Sequence, residues 1–126
     1  MAVLDQLTHK NYLSIETFRK NGIGVKTPVW FVQEGDTLYI STGANSGKVK
    51  RIRKNERVNI APCKMNGAPD GDWVPAIARI VADDDTATKV DHLLDKKYGL
   101  IKKLFGMING RRGAKPTFLE LKASIN

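Results

Sequence analysis

A chain of 126 residues with 27% charged and 41% hydrophobic residues has the size and composition of one folded domain, residues 1–126, which excludes a disordered protein. Its single cysteine, Cys63, excludes an internal disulfide and a cysteine-rich zinc site. The formal net charge of +8 predicts an anionic partner without choosing among nucleic acid, anionic lipid and a small polyanion.

The first residues lack the basic and apolar regions of a signal peptide, and no apolar run approaches the roughly 20 residues of a membrane span. The expectation is a cytoplasmic protein with no membrane partner. Positive charge concentrates in two places. Lys48, Lys50, Arg51, Arg53, Lys54 and Arg57 face Glu56 alone, and residues 96–115 carry seven cations with no acid between them.

In chain order, Val3, Leu4 and Leu7 predict a short amphipathic helix over residues 2–8. From Tyr12 the period becomes two, with Leu13, Ile15 and Thr17 on one side and Ser14, Glu16 and Phe18 on the other, as in a strand. Asn21-Gly22 is a hairpin signal. The run Gly24 to Gln33 reads as one strand, with Pro28 marking an edge, a bulge or a strand start. After a turn at Glu34-Gly35-Asp36, Thr37 to Thr42 reads as the third strand of a meander. Lys48 to Lys54 has a helical pattern, and Val58 to Pro62 forms a fourth strand. Trp73 to Ala82 predicts a fifth strand apolar on both faces. Asp83, Asp84 and Asp85 suit the start of a helix reaching Leu94 or Tyr98, by complementing its dipole. Gly99 to Asn109 continues as a second helical piece with an apolar stripe. A basic loop from Gly110 to Lys115 precedes a last strand at Thr117 to Leu121. The fold class expected is mainly β with a few helices: six antiparallel strands in a closed or nearly closed barrel.

The segment from Thr42 to Arg51 has the makings of an anion site. Ser41, Thr42 and Ser46 supply hydroxyls, Gly43 and Gly47 permit close backbone approach, and a helical turn starting near Ser46 aims free amides at a phosphate. At about 100° per residue, Val49 and Ile52 share an apolar sector flanked by Lys48 and Arg51, whereas Lys50 and Lys54 point into water. Lys48 and Arg51 can therefore converge on one phosphate, the lysine as a point charge and the arginine as a fork. A charged helix is otherwise a solvated face. The spacing is not that of a Walker A loop.

His9 and His92 are too far apart in sequence to suggest a metal, and none is expected. Cys63 reads as a small buried hydrophobe. No Ser-His-Asp or paired-carboxylate arrangement stands out, so no catalytic residue is assigned. An enzyme of this kind leaves its hard chemistry to a bound cofactor.

Five segments in order resemble the pyridoxamine 5'-phosphate oxidase-like split-barrel superfamily, nearest its flavin- and deazaflavin (F420)-dependent oxidoreductase branch. They are Thr27-Pro28-Val29-Trp30-Phe31, Leu38 to Thr42, Ser46 to Arg53, Val58 to Cys63, and Lys97-Tyr98-Gly99. The resemblance implies an FMN-binding type of six-stranded split barrel that forms a homodimer and holds F420 or FMN. It implies that Lys48 and Arg51 bind the cofactor phosphate, beside the Ser46 hydroxyl of the anion site, and that Ser41 and Thr42 contact the phosphate or ribityl chain. It places Pro28, Val29 and Trp30 along the ring, with Ala61, Pro62 and Cys63 bordering it. The activity implied is hydride transfer between cofactor and a small organic substrate. A non-catalytic flavin- or haem-binding or sensing protein is the alternative. An oligonucleotide-binding barrel would interleave exposed aromatics with cations along its strands. Trp30, Phe31 and Tyr39 have hardly any cations nearby, so nucleic acid is not the expected partner.

Overall fold

Turn chemistry and alternation divide the chain into short elements. The computed structural model describes residues 6–7, 10–43, 46–110 and 116–124, with only the backbone described for 100–110 and 116. Their order is β1 (Leu13–Phe18), β2 (Gly24–Val29), β3 (Phe31–Glu34), β4 (Thr37–Gly43), α1 (Gly47–Lys54), β5 (Arg57–Pro62), β6 (Val74–Ile80), α2 (Asp84–Gly110) and β7 (Pro116–Ala123). Of the helix expected over 2–8, only Gln6 and Leu7 are described, and Leu7 is a buried core residue. His9 and the basic loop at 111–115 lie outside the described residues, as do the side chains of the expected stripe at 100–108.

All strand pairs are antiparallel, in the sheet order β2-β1-β5-β6-β7-β4-β3. Two strands that follow one another in sequence, β2 and β3, thus occupy opposite edges. The sheet curls until β2 comes near β4, giving a split barrel. The strand expected over Gly24 to Gln33 divides at Trp30, which raises the count from six strands to seven and replaces the expected meander with two hairpins. Pro28 lies on the edge strand β2, opposite Ser14, where its missing N–H leaves no gap in a central ladder.

The β1–β2 turn has Gly22 at φ 87, a conformation open mainly to glycine. Inward-facing residues then follow from alternation: Leu13 and Ile15 of β1, Ile60 of β5, Ala76 and Ala78 of β6, and Leu119 and Leu121 of β7 are buried together. Burial of each large aliphatic side chain contributes about 1.5–3 kcal/mol. The expectation that the fifth strand is covered on both faces does not hold. In β6 burial alternates, with Pro75 and Arg79 exposed, because its outer face carries no covering helix along those residues.

Among the described residues, two helices complete the core. α1 packs against β1 and β6 and inserts Val49 and Ile52, both buried, into one end of the barrel. α2 starts after Asp83, whose carboxylate accepts the Thr86 amide at 2.9 Å, the role of an N-cap. Its Val90, Leu94 and Tyr98 cover Val32, Tyr39 and Phe118 on the outer face of β3, β4 and β7. The helix breaks direction at Gly99, with φ 52 and ψ −124. Among the described residues, no helix is long and apolar enough to cross a membrane.

Candidate functional site

Ser46 caps α1. Its side-chain oxygen accepts the Val49 amide at 3.4 Å and lies 3.2 Å from Thr42 Oγ1. A helix leaves its first amides without internal acceptors, so those of Gly47 and Lys48 face outward beside two hydroxyls.

The helical period sorts the cations. Lys48 and Arg51 are partly buried, whereas Lys50, Arg53 and Lys54 are exposed. Burial first, then the Arg51 charge, hold the Lys48 ammonium below the ordinary lysine value. Arg51 Nε donates to Thr17 Oγ1 at 2.6 Å, and Thr17 is 1% exposed. The guanidinium passes so close to Gly47 that a Cβ there would lie 2.7 Å from Nη1. Among the described residues, no carboxylate comes within ion-pair distance of Lys48 or Arg51. Two neighbouring cations without an acid disfavour each other's charge, and a bound phosphate would relieve both.

The other predicted site residues fall into three places. Ser41 does not join Thr42: adjacent strand residues point to opposite faces, and Ser41 pairs with Phe118 on the outer side. Pro28 and Ala61 flank Ser14 in the register, and Val29 and Pro62 flank Leu13. These two rows lie on opposite faces of β1, about 10 and 14 Å along it from Thr17 at 3.4 Å per residue. Pro28 is exposed, whereas Val29, Ala61, Pro62 and Cys63 are buried. The loop at Gly71 packs on Pro62, where a glycine Cβ would come within 2.5 Å of the proline ring. Burial, followed by the Asp70 charge, pushes the Cys63 thiol up, so it stays protonated and unreactive.

Trp30 sits at the break between β2 and β3. Its ring stacks on Tyr98, with centroids 4.5 Å apart and planes 12° from parallel. The Tyr98 hydroxyl accepts the Phe31 amide at 2.9 Å and lies 2.8 Å from the Asn11 carbonyl and 2.9 Å from that of Phe31. Burial pushes its pKa up to about 12, against the opposing hydrogen bond to Phe31. Lys97 Nζ donates to the Phe31 carbonyl at 2.9 Å and stands 3.6 Å from the Phe31 ring centroid. Burial lowers its pKa to about 8. Sequence reasoning assigned no site role to Thr17, Lys97 or Tyr98. Lys97 and Tyr98 entered only through the Lys97-Tyr98-Gly99 segment of the family resemblance, and Thr17 only through the strand alternation. Among the described residues, no group of His, Cys, Asp and Glu is placed to hold a metal ion.

No family model matches the sequence, and no curated protein matches it. Solved structures do match in fold. A pyridoxamine 5'-phosphate oxidase-like protein from Listeria innocua aligns at a TM-score of 0.71 and 12% identity, over 98% of this chain and 92% of its own. The heme storage protein HutZ from Vibrio cholerae aligns at 0.73 and 14%, over 99% and 89%. An F420 reductase aligns at 0.60 and 14%, over 97% and 93%. The chain has the split-barrel fold of the pyridoxamine 5'-phosphate oxidase-like proteins.

Proposed function

We propose that this chain is an F420- or FMN-dependent oxidoreductase, acting in the cytoplasm as a single-domain homodimer on a small organic substrate. The observation that carries the reading is the Lys48–Arg51 pair, partly buried, without an acid among the described residues, at the capped start of α1. The donor set fits a phosphate: two cations, the amides of Gly47 and Lys48, and the hydroxyls of Thr42 and Ser46. A structural likeness to an F420 reductase supports a cofactor of this class.

In this reading Lys48 supplies the point charge and Arg51 the fork. Thr17 holds Arg51 at Nε, so the terminal nitrogens remain for the ligand. Pro28 and Trp30 present the surface along which the ring lies, while Val29, Ala61 and Pro62 shape that wall from within. A flavin or deazaflavin, when bound, carries the hydride. The protein positions the ring and keeps water away, and needs no dedicated acid to do so.

A second reading, a non-catalytic flavin- or haem-binding protein, is favoured by the likeness to HutZ. One experiment separates them. The purified protein is titrated with FMN, F420 and hemin by absorbance, then loaded with the reduced cofactor and given a panel of organic acceptors. Cofactor binding with oxidation by at least one acceptor supports the oxidoreductase. Tight binding without turnover, or binding of hemin alone, favours the second reading.

A further inference from the structure

Away from the phosphate cradle, Asn11, Tyr12, Trp30, Lys97 and Tyr98 line a cavity of about 130 Å³. We propose that this cavity, which shares Trp30 with the proposed ring wall, binds a small single-ring aromatic anion, an aromatic carboxylate being the simplest case. Size, wall and charge each limit the ligand. A protein cavity of about 150 Å³ admits benzene, so a cavity of about 130 Å³ has room for one ring.

The wall is aromatic and fixed. Trp30 lies flat on Tyr98, and the Tyr98 hydroxyl is held by the backbone of Phe31, just after the β2–β3 break, and of Asn11, just before β1. Tyr98 therefore cannot swing away, and the stacked pair is a preformed platform for a ring. Its hydroxyl is fully engaged and does not serve a ligand.

The charge comes from Lys97. Its ammonium has three N–H donors, and one goes to the Phe31 carbonyl. Among the described residues, no carboxylate comes within ion-pair distance of it. Burial disfavours this cation, and a carboxylate in the cavity would offset that penalty with charge-assisted hydrogen bonds. A neutral or cationic ring gains nothing from it.

The test uses the full chain with no cofactor added, so it stands whether or not the oxidoreductase reading holds. Benzoate, benzyl alcohol and benzylamine are titrated, followed by calorimetry and by the two tryptophan indole NMR signals. Benzoate is expected to bind about tenfold or more tightly than benzyl alcohol, as one charge-assisted contact implies. It should move the Trp30 signal rather than that of Trp73. Lys97→Met should remove the preference for benzoate, while Lys97→Arg, which keeps the cation, should retain it and report that the fold survives. Inorganic phosphate should not displace benzoate. Equal affinity for acid and alcohol, an unchanged preference in Lys97→Met, a response at Trp73 alone, or displacement by phosphate would each overturn the proposal.

Discussion

Tyr98 reaches across 67 residues to accept the Phe31 amide at 2.9 Å, at the point where the chain leaves one sheet edge for the other. The strand ladder has no partner for that amide, because Phe31 lies on the edge strand β3, which pairs only with β4. The phenol supplies one. Tyr98→Phe removes the acceptor and leaves a buried N–H unsatisfied, which costs about 1–3 kcal/mol. Tyr98→Ala also deletes the ring under Trp30 and should cost about 3–5 kcal/mol. Urea unfolding of the two variants checks the order. A loss in Tyr98→Phe equal to that in Tyr98→Ala would assign the whole effect to the hydroxyl.

The cradle predicts a split among the basic residues of α1. Lys48→Ala and Arg51→Ala should each weaken FMN or F420 binding at least about tenfold, the worth of one charge-assisted phosphate contact. Lys50→Ala and Lys54→Ala, on the exposed side, should change it by less than about threefold, the scale of a screened surface charge. Thr17→Val keeps shape but frees Arg51 Nε, and should fall between the two groups. Fluorescence titration of the five variants reads the split. Equal losses from the inner and outer pairs would defeat the convergent site.

Gly47 separates binding from stability. A helix prefers alanine to glycine by about 1 kcal/mol, so Gly47→Ala should leave the protein as stable or slightly more so. The new Cβ would nevertheless meet Arg51 Nη1 at 2.7 Å and move the flexible end of that side chain. Cofactor affinity is expected to drop while the unfolding midpoint holds or rises. A parallel loss of both would mean that the contact is structural.

Much of the cradle is legible in the sequence. Ser46 was the expected start of α1 and is its cap. Val49 and Ile52 were the expected apolar sector and are buried, with Lys50 and Lys54 left in water. These features obey local rules, a cap and a 3.6-residue period. The break at Trp30 obeys none. The run from Gly24 to Gln33 reads as one strand in which Pro28 marks an edge, a bulge or a strand start, and nothing local places the division two residues later at Trp30. Thr17 was equally opaque. An inward-facing threonine looks like a weak hydrophobe until Arg51 arrives from 34 residues away. Ser41 and Thr42 show a subtler failure, since adjacent strand residues cannot both face one ligand.

Lys97 makes the last prediction, and its sign follows from linkage. Its pKa falls to about 8 in the folded protein from an ordinary 10.5. The unfolded chain therefore binds more protons between those values, and stability rises with pH across that window. The penalty for holding the cation is complete below about pH 8 and is gone above 10.5. Because Lys97 is an exposed residue, screening reduces the effect to about 1 kcal/mol at most. Other lysines and tyrosines titrate nearby, so the quantity to measure is the difference between wild type and Lys97→Met. Relative to the variant, the wild type should gain about 1 kcal/mol in urea unfolding between pH 7.5 and 10. A constant difference would show that the ammonium is as well solvated in the folded protein as in the unfolded chain. The same measurement with benzoate present should flatten the slope, because an anion beside Lys97 restores the preference for its charged form.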